Sequence, residues 1–376
     1  MRVAIVGCGF VADFYMQSLP LYPVLELAGI HDRDAARAAS FAAYHGIRRI
    51  YGSLDELLSD ASVELVLNLS NPDSHYAVSK AALEAGKHVY SEKPFAMAMP
   101  EASELVALAA AKGLRIASAP CNLLGETAQA LWRALRENRV GQVKLVYAEM
   151  DDGLVHKMPY RRWRSDSGRP WPWKDEFEVG CTLEHAGYYV GWFTAFFGPA
   201  VSVTAFSSCL YPDKETDAPL DRLAPDFSSA CIRFASGVVA RLTCSIVAPH
   251  DQRLRIFGDT GILCTDHAWN YRQPVYIRRL LNIRRKMILN PFRERVALPS
   301  IPDAPARPRK TNPMEFCRGP AELATAIGEQ RESPMPADWC LHNNEIVLAI
   351  QNALDDGASH RMTTSFKPLR AMPWAA

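Results

Sequence analysis

The 376-residue chain contains no Cys-x-x-Cys pair. Its nine cysteines, at 8, 121, 181, 209, 231, 244, 264, 317 and 340, are odd in number and scattered. That pattern argues against a disulfide frame or a zinc site, so free thiols, a reducing cytoplasmic compartment and no bound metal are expected. An excess of either charge is also missing. Lys plus Arg is 42 and Asp plus Glu is 41, a net charge of +1. So even a balance sets up no field for general nucleic-acid or membrane-surface binding, and neither partner is expected. No apolar run reaches the roughly 18 residues of a membrane span. The opening MRVAIVGCGF is too short in its apolar part for a signal-peptide core and reads as a first strand.

What is present is an ordinary globular composition, 48% hydrophobic and 22% charged. At roughly 150 residues per domain the length predicts two domains. The first 120 residues alternate short apolar runs with helical patterns. Strands are expected at Val3–Val6, Val24–Ile30, Val63–Leu69, His88–Tyr90 and Leu114–Ser118. Helices are expected at Val11–Leu19, Asp34–Ala43, His75–Ala85 and Glu101–Lys112. Such alternation argues for right-handed βαβ units on a parallel sheet covered on both faces.

After Pro120 the pattern changes. Helices are expected at Gln129–Glu137 and Thr182–Phe197, the second ended by Gly198-Pro199. Strands are expected at Val143–Glu149, Val201–Ser207, Ser228–Phe234, Val238–Ile246 and Gln252–Phe257, with a hairpin at Ser236-Gly237. The fold class is therefore α/β: an N-terminal Rossmann parallel sheet over 1–121, then an α+β domain over 122–376 with an open, mostly antiparallel sheet. Residues 299–313 carry five prolines and read as an exposed connector. Closing helices are expected at Glu315–Gln330 and Trp339–Ala353, with the segment 338–355 a candidate to pack back on the first domain.

The first strand runs into Gly7-Cys8-Gly9-Phe10-Val11-Ala12, a Gly-x-Gly-x-x-Ala turn opening a helix. Gly7 permits the tight turn and Gly9 lets a pyrophosphate approach the backbone. Ala12 keeps helix and strand close, and the N–H groups beginning at Phe10 and Val11 face the phosphates. Asp32 follows the second strand, roughly 20 residues further on. Its carboxylate suits a ribose 2′-hydroxyl and repels a 2′-phosphate, which favours NAD; Arg33 follows directly and keeps NADP open.

Further along come Asn71-Pro72-x-x-His75 and Ala85-Gly86-Lys87-His88-Val89-Tyr90-Ser91-Glu92-Lys93-Pro94. With the glycine turn, these strings make the chain resemble the Gfo/Idh/MocA oxidoreductases over essentially its whole length. The resemblance implies an active site and nicotinamide at the cleft between two domains, and substrates that are sugars, polyols, cyclitols or their derivatives. It implies cofactor contacts from Ser70, Asn71 and His75, and puts Glu92 either near the nicotinamide amide or as a brace for Lys93. It makes Lys93 the catalytic lysine, able to relay or polarise a proton. Sequence leaves the isomer of the Lys93–Pro94 bond open.

The family's second element is Asp-x-x-x-His on a helix. Here Glu184 and Tyr188 fall at those positions, so the usual histidine is absent. A tyrosine beside a lysine can act as acid/base, and Glu184 and Tyr188 at i, i+4 share a helix face. Tyr188 with Lys93 is the expected proton-handling pair, and His185 is the rival. The loop Pro159–Glu176 mixes Trp with charged residues. Arg162, Trp163 and Trp173 are candidate substrate contacts there, the other reading being a loop packed for structure. Asn122 is a further substrate candidate, although the Leu123-Leu124 that follows departs from relatives. The basic run Arg278-Arg279 to Lys286 reads as a solvated face.

The expected function is NAD(P)-dependent transfer of a hydride between a secondary alcohol and nicotinamide. Glycoside hydrolysis or elimination through transient oxidation, and a non-catalytic NAD-binding sensor, are the alternatives. A homo-oligomer, dimer or tetramer, is expected. The substrate and the direction of reaction are not legible.

Overall fold

The computed structural model describes residues 1–302 and 312–375. Its contacts divide into two compact units. The first comprises Met1–Cys121, Pro159–Glu176 and Pro305–Asn344; the second comprises Asn122–Met158, Phe177–Ala304 and Glu345–Ala376. The division thus differs from a single break after residue 121. Two later segments rejoin the first unit because their side chains pack on it. Most of the expected proline-rich connector, 303–311, lies outside the described residues.

In the first unit, β1 (Arg2–Val6), β2 (Glu26–His31), β3 (Leu65–Asn68), β4 (His88–Ser91) and β5 (Ile116–Ser118) form a parallel sheet in the order β2-β1-β3-β4-β5. The crossovers are α1 (Phe10–Ser18), α2 (Ala35–His45), α3 (Leu54–Ser59), α4 (His75–Glu84) and α5 (Met99–Ala111). These elements match the sequence expectation within a few residues, except α3, whose six residues are too short to show a period. The strands are almost continuously apolar because they are buried. Their side chains pack with Leu83, Ala102 and Leu105 from the helices. The order reverses between β1 and β3, and the carboxyl ends at such a switch are where this architecture places ligands.

The second unit begins with α6 (Glu126–Arg136) and β6 (Val143–Leu154). After α7 (Trp173–Val179) and α8 (Gly187–Phe197) come β7 (Ala200–Ser208), β8 (Phe227–Phe234), β9 (Val239–Ser245), β10 (Val247–Asp251), β11 (Leu254–Gly258) and β12 (Gly261–Thr265). They are followed by β13 (Val275–Ile283), β14 (Lys286–Leu289) and β15 (Glu294–Val296). The helix α9 (Arg318–Gly328), part of the first unit, and α10 (Ala337–Gln351), which runs from the first unit into the second, precede β16 (Ala358–Arg361). Among the described residues one eleven-stranded sheet runs β14-β13-β12-β11-β6-β9-β8-β7-β16, with β10 added to β6 and β15 to β13. Only β6–β9 is parallel, so the sheet is mostly antiparallel. The β8–β9 turn falls at Ser236-Gly237, as the sequence predicts, with Gly237 at φ +81°. Strands β10 and β12–β16 are not among the expected strands; all but β13 are five residues or fewer, and β13 lies in the basic run read as a solvated face.

No helix among the described residues is long and apolar enough to cross a membrane.

Candidate functional site

The first unit carries a dinucleotide cradle. Gly7 sits at φ +99°, and a Cβ there would lie 2.4 Å from the Leu69 carbonyl oxygen, so no other residue fits without moving β3's end. Gly9 caps α1 in extended geometry, with open space where a Cβ would be. No side chain caps this nine-residue helix, which leaves its first N–H groups for an anion. Ala12 is fully buried, as close helix–strand packing requires. Asp32 is buried; its Oδ2 accepts from Cys8 N at 2.8 Å and its Oδ1 from Asp34 N at 2.9 Å. It therefore also holds the glycine turn in shape, a second duty not visible in the fingerprint. Burial, with Asp32 adding, pushes the Cys8 thiol up to about 12, so it acts as a small packed side chain. Arg33 is exposed, and Arg37 Nη1 lies 3.6 Å from Asp32 Oδ1. These groups fit a dinucleotide: an open glycine cradle, a helix terminus with no side-chain cap and a carboxylate just past β2.

Behind the cradle a polar network fixes the turn that carries Lys93. Glu92 is buried; Tyr15 donates to its Oε1 at 2.7 Å and the Lys93 amide to its Oε2 at 3.1 Å. Of the two roles the sequence offers for Glu92, the structure shows the bracing one. The Lys93–Pro94 bond is cis. His75 is buried, with Nδ1 2.8 Å from the Pro94 carbonyl and Nε2 3.0 Å from that of Ser70. It joins the lysine turn to the end of β3. Asn68, missed in the sequence, accepts from Ser70 Oγ at 2.6 Å and donates to the His75 carbonyl at 2.9 Å. Asn71 accepts from Ser74 Oγ at 2.7 Å and shapes the entry to α4.

The aromatic loop packs on this same unit. Ser167 donates through N and Oγ to Asp13 Oδ2, Gln17 donates to Asp166, and Arg169 to the Arg37 carbonyl and to Ser40. Burial opposes the charge on Asp13. Hydrogen bonds from His45, Ser165 and Ser167 outweigh it and hold the carboxyl below its usual range. Trp163 meets Trp171 edge-on at 5.0 Å, and Trp173 meets Tyr160 at 6.3 Å. Those indoles pack within the loop, and Arg162 is exposed. This supports the structural reading of the loop over the expected substrate contacts.

In the second unit, Gly180 at φ +96° opens the segment that holds the acid/base candidates. A Cβ there would meet Gln351 and the Pro225 carbonyl at 2.9 Å. Thr182–Ala186 then form a π-helical turn before α8, not the continuous α-helix expected. The wide turn changes the side-chain phase, so i, i+4 reasoning fails across it. Glu184, His185 and Tyr188 are all buried or nearly so. His185 and Tyr188 both stand edge-on to Trp269, at 5.7 and 5.9 Å. Tyr189 is fully buried and donates to the Gln252 carbonyl. Asn122, expected on the substrate, is buried, and its amide is spent on the carbonyls of Tyr188 (3.0 Å) and Ala268 (3.5 Å). It pins the Tyr188 backbone to the segment that carries Trp269. Trp269, His250 and His267 are functional candidates the sequence did not show. Sheet pairing, not spacing, gathers them.

Known proteins bear on both units. The oxidoreductase family with an NAD-binding Rossmann fold matches residues 1–119, and the GFO/IDH/MocA C-terminal domain matches 128–264. The chain belongs to the GFO/IDH/MocA oxidoreductases. It is 28% identical over 285 residues to an uncharacterized oxidoreductase of Synechocystis, covering 72% of this chain and 73% of that one. It is 31% identical over 170 residues to trans-1,2-dihydrobenzene-1,2-diol dehydrogenase of Bos taurus, 45% of this chain and 51% of the relative. In fold it is similar to the WlbA dehydrogenase of Bordetella pertussis, solved with NADH and UDP-GlcNAcA. That likeness has a TM-score of 0.72 at 18% identity, over 97% of this chain and 98% of that one. The chain is thus an NAD(P)-dependent oxidoreductase, which sets the non-catalytic reading aside.

Proposed function

We propose that the protein is a dehydrogenase acting on a secondary alcohol of a sugar, cyclitol or related diol. NAD is the preferred cofactor; bound in the glycine cradle, it supplies the hydride acceptor. Tyr188 takes the hydroxyl proton, and Lys93 supports that transfer by its charge. The observation that carries the reading is the double pinning of Tyr188. Its carbonyl is tied by Asn122, and its ring is set against Trp269 beside His185. Such fixation suits a group that must meet one hydroxyl in one orientation. Glu184, buried in the π turn, is proposed to orient the tyrosine's surroundings. The diol dehydrogenase relative and the sugar-nucleotide dehydrogenase of the same fold support a polyhydroxylated substrate.

The test is a spectrophotometric screen of sugars, cyclitols and cyclic diols with NAD and NADP. Nicotinamide reduction with at least one such alcohol is expected, and its loss in Tyr188→Phe. A burst of reduced nucleotide without net accumulation, with a glycoside as substrate, would instead favour transient oxidation.

A further inference from the structure

Beyond Trp269 the second unit carries a cluster that the proton-handling assignment leaves unused. The Trp269 ring lies 6.2 Å from both His250 and His267, which are 5.2 Å apart. His250 Nδ1 is 3.5 Å from Asp152 Oδ1. Asp152 lies near the end of β6 and His250 lies on β10, which pairs with β6; His267 and Trp269 follow β12.

Trp269 Nε1, His267 Nδ1 and Gln252 Nε2 are shut from solvent, with no hydrogen-bond partner among the described residues. Gln252 is 1% exposed and cannot turn away easily. Its Oε1 accepts from Ala268 N at 3.4 Å, and its carbonyl accepts from Tyr189. Buried donors without acceptors are costly and call for a ligand that supplies acceptors. Asp152, three-quarters covered, needs donors in turn. Burial pushes its carboxyl up to about 6, with His250 pulling it back.

The chemistry of the ligand follows. The charged groups acting on Asp152 and His267 are His250 and Asp266. Arg253, close in sequence, is forked onto Asp251. An anion would therefore meet two carboxylates and no fixed cation. A hydroxyl both donates and accepts, so it satisfies carboxylate and N–H groups together. An indole face covers the C–H face of a saturated ring.

We propose that Asp152, His250, His267 and Trp269, backed by Gln252, form a hydroxyl-binding subsite that selects a substrate with a further hydroxyl next to the carbon oxidised. This rests on the dehydrogenase reading above.

The test compares 1,2-cyclohexanediol with cyclohexanol, using NAD-loaded wild type, Asp152→Asn, His250→Gln and Trp269→Leu. In Asp152→Asn, KM for the diol is expected to rise at least tenfold with kcat within threefold; Trp269→Leu also frees the Tyr188 ring, so it is read by diol affinity, expected to fall at least tenfold. The diol-to-monool ratio of kcat/KM falls by the same factor. Calorimetric titration of the diol into the NAD-loaded proteins is expected to show the same weakening, and it decides the subsite even if the wild type oxidises neither alcohol. In that event only the dehydrogenase reading falls. His250→Gln, at a half-exposed position, guards against misfolding as the cause. Diol affinity and selectivity at wild-type values in all three variants would overturn the subsite.

Discussion

The Tyr15 hydroxyl donates to Glu92 Oε1 at 2.7 Å, across 77 residues of chain, with both groups buried. Tyr15 lies on the helix that opens at the glycine cradle, and Glu92 precedes Lys93. One hydrogen bond thus joins that helix to the lysine turn. Burial and the Glu92 charge push the Tyr15 phenol well above its ordinary range, so it stays protonated and donating. Tyr15→Phe is expected to cost about 1.5–3 kcal/mol, the worth of a hydrogen bond to a charged group. Urea unfolding would measure that. Nucleotide affinity, read by fluorescence, is expected to weaken in the same variant. Wild-type stability would show that Glu92 finds another donor.

Tyr188 and His185 make distinguishable predictions although both face Trp269. If Tyr188 handles the proton, Tyr188→Phe lowers kcat by roughly 10²–10⁴. His185→Asn then lowers it by far less. Lys93→Met is expected to resemble Tyr188→Phe and to leave nucleotide affinity within a few-fold. Steady-state kinetics on the best alcohol from the screen decides. A reversed order of the Tyr188 and His185 effects would move the role to His185.

Asp32 has one observed role and one proposed role that mutation can separate. Its carboxylate braces the Cys8 and Asp34 amides, and its charge is proposed to disfavour a 2′-phosphate. Asp32→Asn keeps an acceptor oxygen and removes the charge. Its kcat/KM for NAD is expected to fall modestly while that for NADP rises, so that the preference shrinks at least tenfold. Asp32→Ala is expected to weaken both nucleotides, because the brace is lost as well.

The first unit was legible because its physics is local. Strands buried on both faces read as apolar runs, and the glycine turn needs its residues at fixed spacing. The second site was legible only in part. Tyr188 and His185 were found, but the π turn at Thr182–Ala186 has no period that sequence reveals, so their shared approach to Trp269 was not foreseen. His250 and Asp152 are brought together by β10 pairing with β6, nearly a hundred residues apart. Asn122 is a substrate candidate only through the resemblance to relatives. Only the structure shows its amide already spent on two carbonyls.

Glu345 predicts the acid stability of the second unit. Its carboxylate accepts from the amides and hydroxyls of Thr363 and Thr364 and lies 2.8 Å from His360 Nε2, fastening the segment around β16. Burial opposes its charge, but bonds from Thr364, His360 and Thr363 win and hold the pKa at about 2, against 4.5 for an ordinary glutamate. A depressed carboxyl pKa stabilises the fold above the unfolded value, and that stability is lost as pH falls through the folded one. The difference, 4.5 − 2, at 1.36 kcal/mol per unit gives about 3 kcal/mol, present at pH 7 and lost between pH 4.5 and 2. Thermal melts from pH 7 to 3 are expected to fall more steeply below pH 4.5 for wild type than for Glu345→Gln. The variant should start lower at pH 7 and converge on wild type in acid. Parallel curves would show that the threonine bonds contribute without regard to the charge.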